Sequence, residues 1–213
     1  MRLIGVLLTS LLLAGCLPGA GSSASRLTYT LPTTLTVKAG QELPGTEIVY
    51  ERMSGDSAQL RIKGQTALKR RGDSVSWKGL WRDGVTGDLA LRVVHYSEEE
   101  LRLAGTVKVV VEGVDPQRGV PRTSSPLHFA GPVAYSVSKG KGLPGTTFAY
   151  LGHAEDGAEL GGLNEYPFRK AGDSIVWEGR LRPGVYLKLD VRAVQYDDRA
   201  LRVAGLASLW IGE

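Results

Sequence analysis

Cysteine is all but missing from this chain. Of 213 residues only Cys16 carries a thiol, so no internal disulfide can form and stability has to come from packed apolar side chains. Histidine is nearly as scarce: His95, His128 and His153 stand at least 25 residues apart, a spacing that assembles no local metal-ligand set. The sequence contains no Asp-x-Asp-x-Asp loop of the calcium type and no glycine-rich phosphate loop opening a helix, so it suggests neither a metal nor a cofactor. Basic charge in excess is also missing where it would count. The formal charge is +4, yet residues 27–115 hold 12 basic and 12 acidic side chains and residues 127–213 hold 10 of each. The surplus is Arg2, Arg26, Arg118 and Arg122. A nucleic-acid footprint needs Lys and Arg gathered on one face, and none is gathered here. Apolar residues, at 42%, suffice for a real core, while 28 glycines and 10 prolines imply many turns.

The first sixteen residues have a character of their own. Met1-Arg2 is a short positive start, and Leu3 to Leu13 is an apolar run of eleven. That is too short for a bilayer, which needs about 20 residues, but suits the core of a signal peptide. Leu13-Ala14-Gly15-Cys16 follows at once and resembles the lipobox of bacterial lipoproteins. The resemblance implies diacylation of the Cys16 thiol, cleavage after Gly15 and acylation of the new amino terminus. Several acyl chains, at about 0.8 kcal/mol per buried methylene, hold firmly where one is marginal. The expectation is a signal peptide over 1–15 and a lipidated, Gly/Ser-rich tether over 16–26. It places the protein in a bacterial cell envelope, outside the cytoplasm. Leu17, in place of Asp, resembles the Gram-negative pattern for outer-membrane sorting.

Comparing the chain with itself shows a duplication at a spacing of 100. Leu43-Pro44-Gly45-Thr46 recurs at 143–146, Gly72-Asp73-Ser74 with Trp77 recurs at 172–174 with Trp177, and Ala104-Gly105 recurs at 204–205. From Thr36 to Val111, 26 of 76 positions are identical without a gap. Between the copies, residues 115–126 hold three prolines and few bulky apolar side chains, the composition of a linker. The domains are then 27–114 and 127–213.

Within each copy the apolar period is two rather than 3.6, so strands are expected and helices are not. Three long strands close each copy as a meander, about 73–81, 88–96 and 101–112, then 173–181, 186–196 and 201–211. Earlier strands are predicted near 34–38, 46–52 and 58–62, with counterparts near 133–138 and 146–151. The fold class is all-β: two tandem homologous β-sandwiches of immunoglobulin-like proportions, with a small barrel as the alternative.

Motifs that carry chemistry elsewhere lack their partners here. Gly-Asp-Ser resembles the first block of GDSL-type serine hydrolases, which place an Asp three residues before a catalytic His. The residues three before the histidines here are Arg92, Ser125 and Tyr150. Ser74 and Ser174 thus lack a base, and the motif reads as a turn that starts the strand of Trp77 or Trp177. Arg71-Gly72-Asp73 spells the integrin tripeptide, but the second copy has Ala171. Leu-Pro-Gly-Thr, internal and present twice, reads as a turn. The acidic tips at Glu98–Glu100 and Asp197-Asp198 read as solvated hairpin ends. No catalytic set can be assembled, and an enzyme is not expected.

What both copies keep is read as shared core, Trp77 and Trp177 above all. Where they differ is read as function. Trp81 stands opposite Leu181, Trp210 opposite Val110, and Tyr166-Pro167-Phe168 replaces Thr66-Ala67-Leu68. Trp210 falls between Leu209 and Ile211 on the side away from the core, pointing outward or into the other domain. Trp81, Trp210 and Tyr166 are therefore the candidate partner or ligand contacts. The expected function is a non-catalytic envelope lipoprotein that binds or scaffolds another envelope component. A protein partner is favoured; the alternative is a carbohydrate-binding module for cell-wall or extracellular glycan.

Overall fold

Alternating burial, the signature of strands packed on one face, runs through the computed structural model, which describes residues 25–121 and 123–212. The expected signal peptide, Cys16 and the expected tether through residue 24 lie outside the described residues. The fold is all-β, with no helix among those residues. The N-terminal half comprises β1 (Arg26–Lys38), β2 (Ile48–Ser54), β3 (Ser57–Ile62), β4 (Gln65–Lys69), β5 (Ser74–Arg82), β6 (Val85–Tyr96) and β7 (Glu100–Glu112). A short β8 (Gln117–Arg118) follows. The C-terminal half has β9 (Leu127–Ser138), β10 (Ala149–Ala154), β11 (Gly157–Gly161), β12 (Phe168–Arg169), β13 (Ser174–Arg182), β14 (Val185–Tyr196) and β15 (Ala200–Ile211).

Each half is sandwich-like. In the first, the antiparallel sheet β1-β7-β6-β5 faces the three-stranded sheet β2-β3-β4; in the second, β8-β13-β14-β15-β9 faces β10-β11-β12. Ile48, Tyr50 and Leu60 from the small sheet and Val75, Leu89 and Leu103 from the large one are almost wholly buried in one apolar cluster. The registers repeat at 100: Ser74 pairs with Arg92 and Ser174 with Arg192, and bulges fall at Val93/His95 and Ala193/Gln195. The recurring Gly105 and Gly205 have a steric cause. A methyl group on either would stand 2.1 or 2.2 Å from the carbonyl oxygen of Ala90 or Asp190 on the neighbouring strand.

The meander strands lie where period two puts them. Several segments differ from expectation, β11 and β12 among them, which the second copy was not expected to have. β1 and β9 start at Arg26 and Leu127, well before 34 and 133, because the Thr-rich residues of β1 still alternate in burial. β4 was not expected: as the outer strand of a small sheet it is half exposed, so its sequence alternates weakly. Residues 115–126, read as a linker, add an edge strand to the second half. Arg118 pairs with Gly179, Asp115 N–H donates to Leu181 O at 2.8 Å and Gly119 N–H to Glu178 O at 3.2 Å.

Candidate functional site

Leu-Pro-Gly-Thr is a turn in both copies, closed by a bond from Thr46 Oγ1 to Leu43 O at 2.8 Å and from Thr146 Oγ1 to Leu143 O at 2.9 Å. It is also a seat for the other half. A methyl group on Gly45 would stand 3.2 Å from Leu127 Cδ1, and one on Gly145 3.2 Å from Leu27 Cδ1. Between these seats β1 packs on β9. Two arginines complete the seam. Arg82 Nη1 donates to Gly212 O at 2.8 Å, and Arg182 Nη1 donates to Glu112 O at 2.6 Å while its Nη2 pairs with Asp83 at 3.1 Å. The repeated Arg-x-Gly turns therefore do more than reverse the chain, as their shared arginine hints: a turn alone needs only its Asp or Gly.

Trp81, expected to contact a partner, bridges the two halves instead. Its ring stacks between Trp77 at 5.7 Å and Phe129 of β9 at 5.2 Å. It lies flat over Gly87, where a methyl group would come within 2.4 Å, and its Nε1 is buried without a hydrogen-bond partner. A cavity of about 40 Å³ adjoins it, lined by Leu35, Leu43, Leu127 and His128 among others. On the opposite flank Tyr29 and Tyr135 meet. Burial, followed by the neighbouring Tyr135 phenol, raises Tyr29 well above the ordinary phenol value, and burial pushes Tyr135 up to about 12. Tyr29 Oη lies close to Tyr135 but makes no hydrogen bond of good geometry.

Trp210 does sit on the face turned away from the core, in register with His128 of β9 and Tyr186 of β14. It is not an open ring, however. His128 stacks on one face at 4.9 Å and 8° and the residue is only 8% exposed, so little of the ring is open to a ligand.

Tyr166 differs from both tryptophans. It is 60% exposed and stands edge-to-face on Phe168 at 5.4 Å, over an open depression of about 340 Å³. Asp156, Arg169, Lys170, Asp173 and Ser174 line the rest. Arg169 is the strut of this corner. Its Nη1 donates to Tyr166 O at 2.6 Å and Phe168 O at 2.9 Å, its Nε to Ser174 O at 3.2 Å, and its Nη2 pairs with Glu165 at 2.6 Å. The first copy is closed at the same place: Arg70 bridges Asp56 at 3.1 Å, and β4 pairs with β3 along its whole length. In the second copy β12 keeps only two pairs, and neither Asp156 nor Lys170 forms an ion pair among the described residues.

The Gly-Asp-Ser segments are turns. Gly72 and Gly172 have φ of 87° and 92°, and the Asp73 and Asp173 carboxylates accept the Arg70 and Lys170 backbone N–H at 2.8 and 2.7 Å. At the acidic hairpin tip, Asp197 Oδ1 accepts the N–H of Arg199 at 2.7 Å and Ala200 at 2.9 Å, bonds that hold its carboxyl below the usual range. Comparison with protein-family models, with curated proteins and with solved structures finds no match.

Proposed function

We propose that the chain is a lipid-anchored envelope protein with a non-catalytic binding role. The leader 1–15 is removed, Cys16 is acylated, and the tether through residue 26 carries two immunoglobulin-like domains, 27–114 and 127–213, joined by 115–126. In a Gram-negative cell Leu17 directs it to the outer membrane. Its partner is another envelope protein that lays an extended segment along the outer edge of β5.

One observation carries this reading. In the second half β8 occupies the outer edge of β13, whereas β5, its counterpart, ends its sheet among the described residues. Backbone donors and acceptors on such an edge pair readily with an incoming strand. Leu80 on β5, 64% exposed, offers that strand an apolar contact. The test is photocrosslinking in intact cells that make the full chain with p-benzoylphenylalanine in place of Leu80. An adduct with a second envelope protein is expected from this position and not from Val94. Adducts confined to the chain itself, or none, would overturn the reading. A second reading, a carbohydrate-binding module, is supported by the depression beside Tyr166.

A further inference from the structure

We infer that the depression lined by Tyr166, Phe168, Asp156, Lys170 and Ser174 is a subsite for one neutral pyranose ring of an envelope or extracellular glycan, an inference that rests on the carbohydrate-binding reading. Three features converge there. The first is the ring. Tyr166 is the only Phe, Tyr or Trp with more than half of its surface exposed among the described residues, and the edge of Phe168 steadies it. An aromatic face carries negative quadrupole density and attracts the polarised C–H bonds on the flat side of a sugar.

The second is the polar rim. Asp156 accepts hydrogen bonds from hydroxyls, Lys170 donates to them, and Ser174 does either. Both charged groups are free of ion pairs among the described residues. The lining as a whole holds two charges of each sign, Asp156 and Asp173 against Arg169 and Lys170, so an anionic or cationic ligand would gain some and oppose others, while a neutral polyol can bond to both kinds. A volume of about 340 Å³ suits a small ligand bound in a cleft.

The third is the contrast between the copies. With no gap in the alignment, the second copy has replaced a regular hairpin and the Asp56–Arg70 bridge by an open corner. That corner is held in shape from beneath by Arg169, whose side chain is only 12% exposed and whose donors are spent on Tyr166, Phe168, Ser174 and Glu165. A loop braced so fully around an exposed ring keeps its shape before a ligand arrives, which lowers the ordering cost of binding. The corner lies at the start of β13, eight residues from Arg182 at the seam, and so roughly 26 Å from it at about 3.3 Å per residue.

The experiment uses the full lipidated chain in a detergent without a sugar headgroup. It is titrated calorimetrically with cellotetraose, maltoheptaose and tetra-N-acetylchitotetraose, and assayed for retention on insoluble peptidoglycan, cellulose and chitin. Binding to at least one of these is expected. Tyr166→Ala and Asp156→Asn should each weaken it about tenfold, the scale of one lost aromatic contact or charged hydrogen bond. Leu68→Ala, at the place in the first copy that matches Phe168, should leave it unchanged, and circular dichroism should show all three variants folded. Silence toward every glycan, binding that both site variants leave intact, or capture of a protein through Tyr166 would each overturn the inference. Crosslinking from position 80 reports separately on the β5 edge, so one can fail while the other stands.

Discussion

Leu31 fills the space that a side chain at position 131 would need. Its partner one hundred residues on is Gly131, where an added methyl group would stand 3.2 Å from Leu31 Cδ2 and 2.8 Å from Pro32 Cδ. Leu31 is wholly buried at this crossing of β1 and β9. Gly131→Leu should therefore lower stability by about 1–3 kcal/mol through overpacking. Adding Leu31→Gly should recover most of that loss in thermal unfolding. Equal losses that simply add would mean the two positions are not coupled.

The arginines of the seam make a graded prediction. At Gly84, φ is +64° and a methyl group would strike the Arg182 guanidinium; at Gly184, φ is +71° and it would strike both the Arg82 guanidinium and the Gly212 carbonyl oxygen at 2.6 Å. A guanidinium can swing aside and backbone cannot, so Gly184→Ala should destabilise more than Gly84→Ala. Arg182→Ala should cost about 1 kcal/mol, the net scale of a hydrogen bond whose acceptor, the Glu112 carbonyl, water can reach. Urea midpoints check all three.

The tyrosine pair predicts alkaline weakening. Unfolded tyrosine titrates near pH 10, while burial holds Tyr135 near 12 and Tyr29 well above its ordinary value. As pH rises past 10 the unfolded chain loses protons first, the folded state then binds more, and stability falls until the folded phenols titrate in turn. Below pH 10 the pair contributes no pH dependence. Urea midpoints at pH 9 and pH 11.5 should therefore diverge, and less so in Tyr135→Phe. A variant as alkali-sensitive as the parent would contradict this.

Cys16→Ser should abolish incorporation of labelled fatty acid and leave an uncleaved precursor. Undiminished labelling would remove the anchor from the proposed function.

Much of the fold was legible because the copies keep what each needs to fold. Trp77 and Trp177, Tyr50 and Tyr150 and the alternating meander residues are buried as their recurrence implied. The seam was hidden for the opposite reason. Where β1 crosses β9, two large side chains at equivalent positions would collide, so Leu31 faces Gly131; Trp81, whose counterpart is Leu181, stacks instead on Phe129 of the other half. Difference was read as function, and at Trp81 it coincides with packing between the halves. Trp210 misled differently, since alternation placed it on the correct face but could not reveal His128 stacked above it. Tyr166 alone of the three candidates presents an open ring. The edge strand within 115–126 escaped notice because three prolines mask the few residues that pair.

The reciprocal arginine bonds change what a break in the polypeptide would mean. Val120, between the halves, is 89% exposed and open to a protease. A nick there would sever the covalent connection yet leave both guanidinium clasps, the stacked rings and the two turn seats in place. The two fragments would migrate together under native conditions and part only in denaturant, so a clipped molecule would remain in one piece.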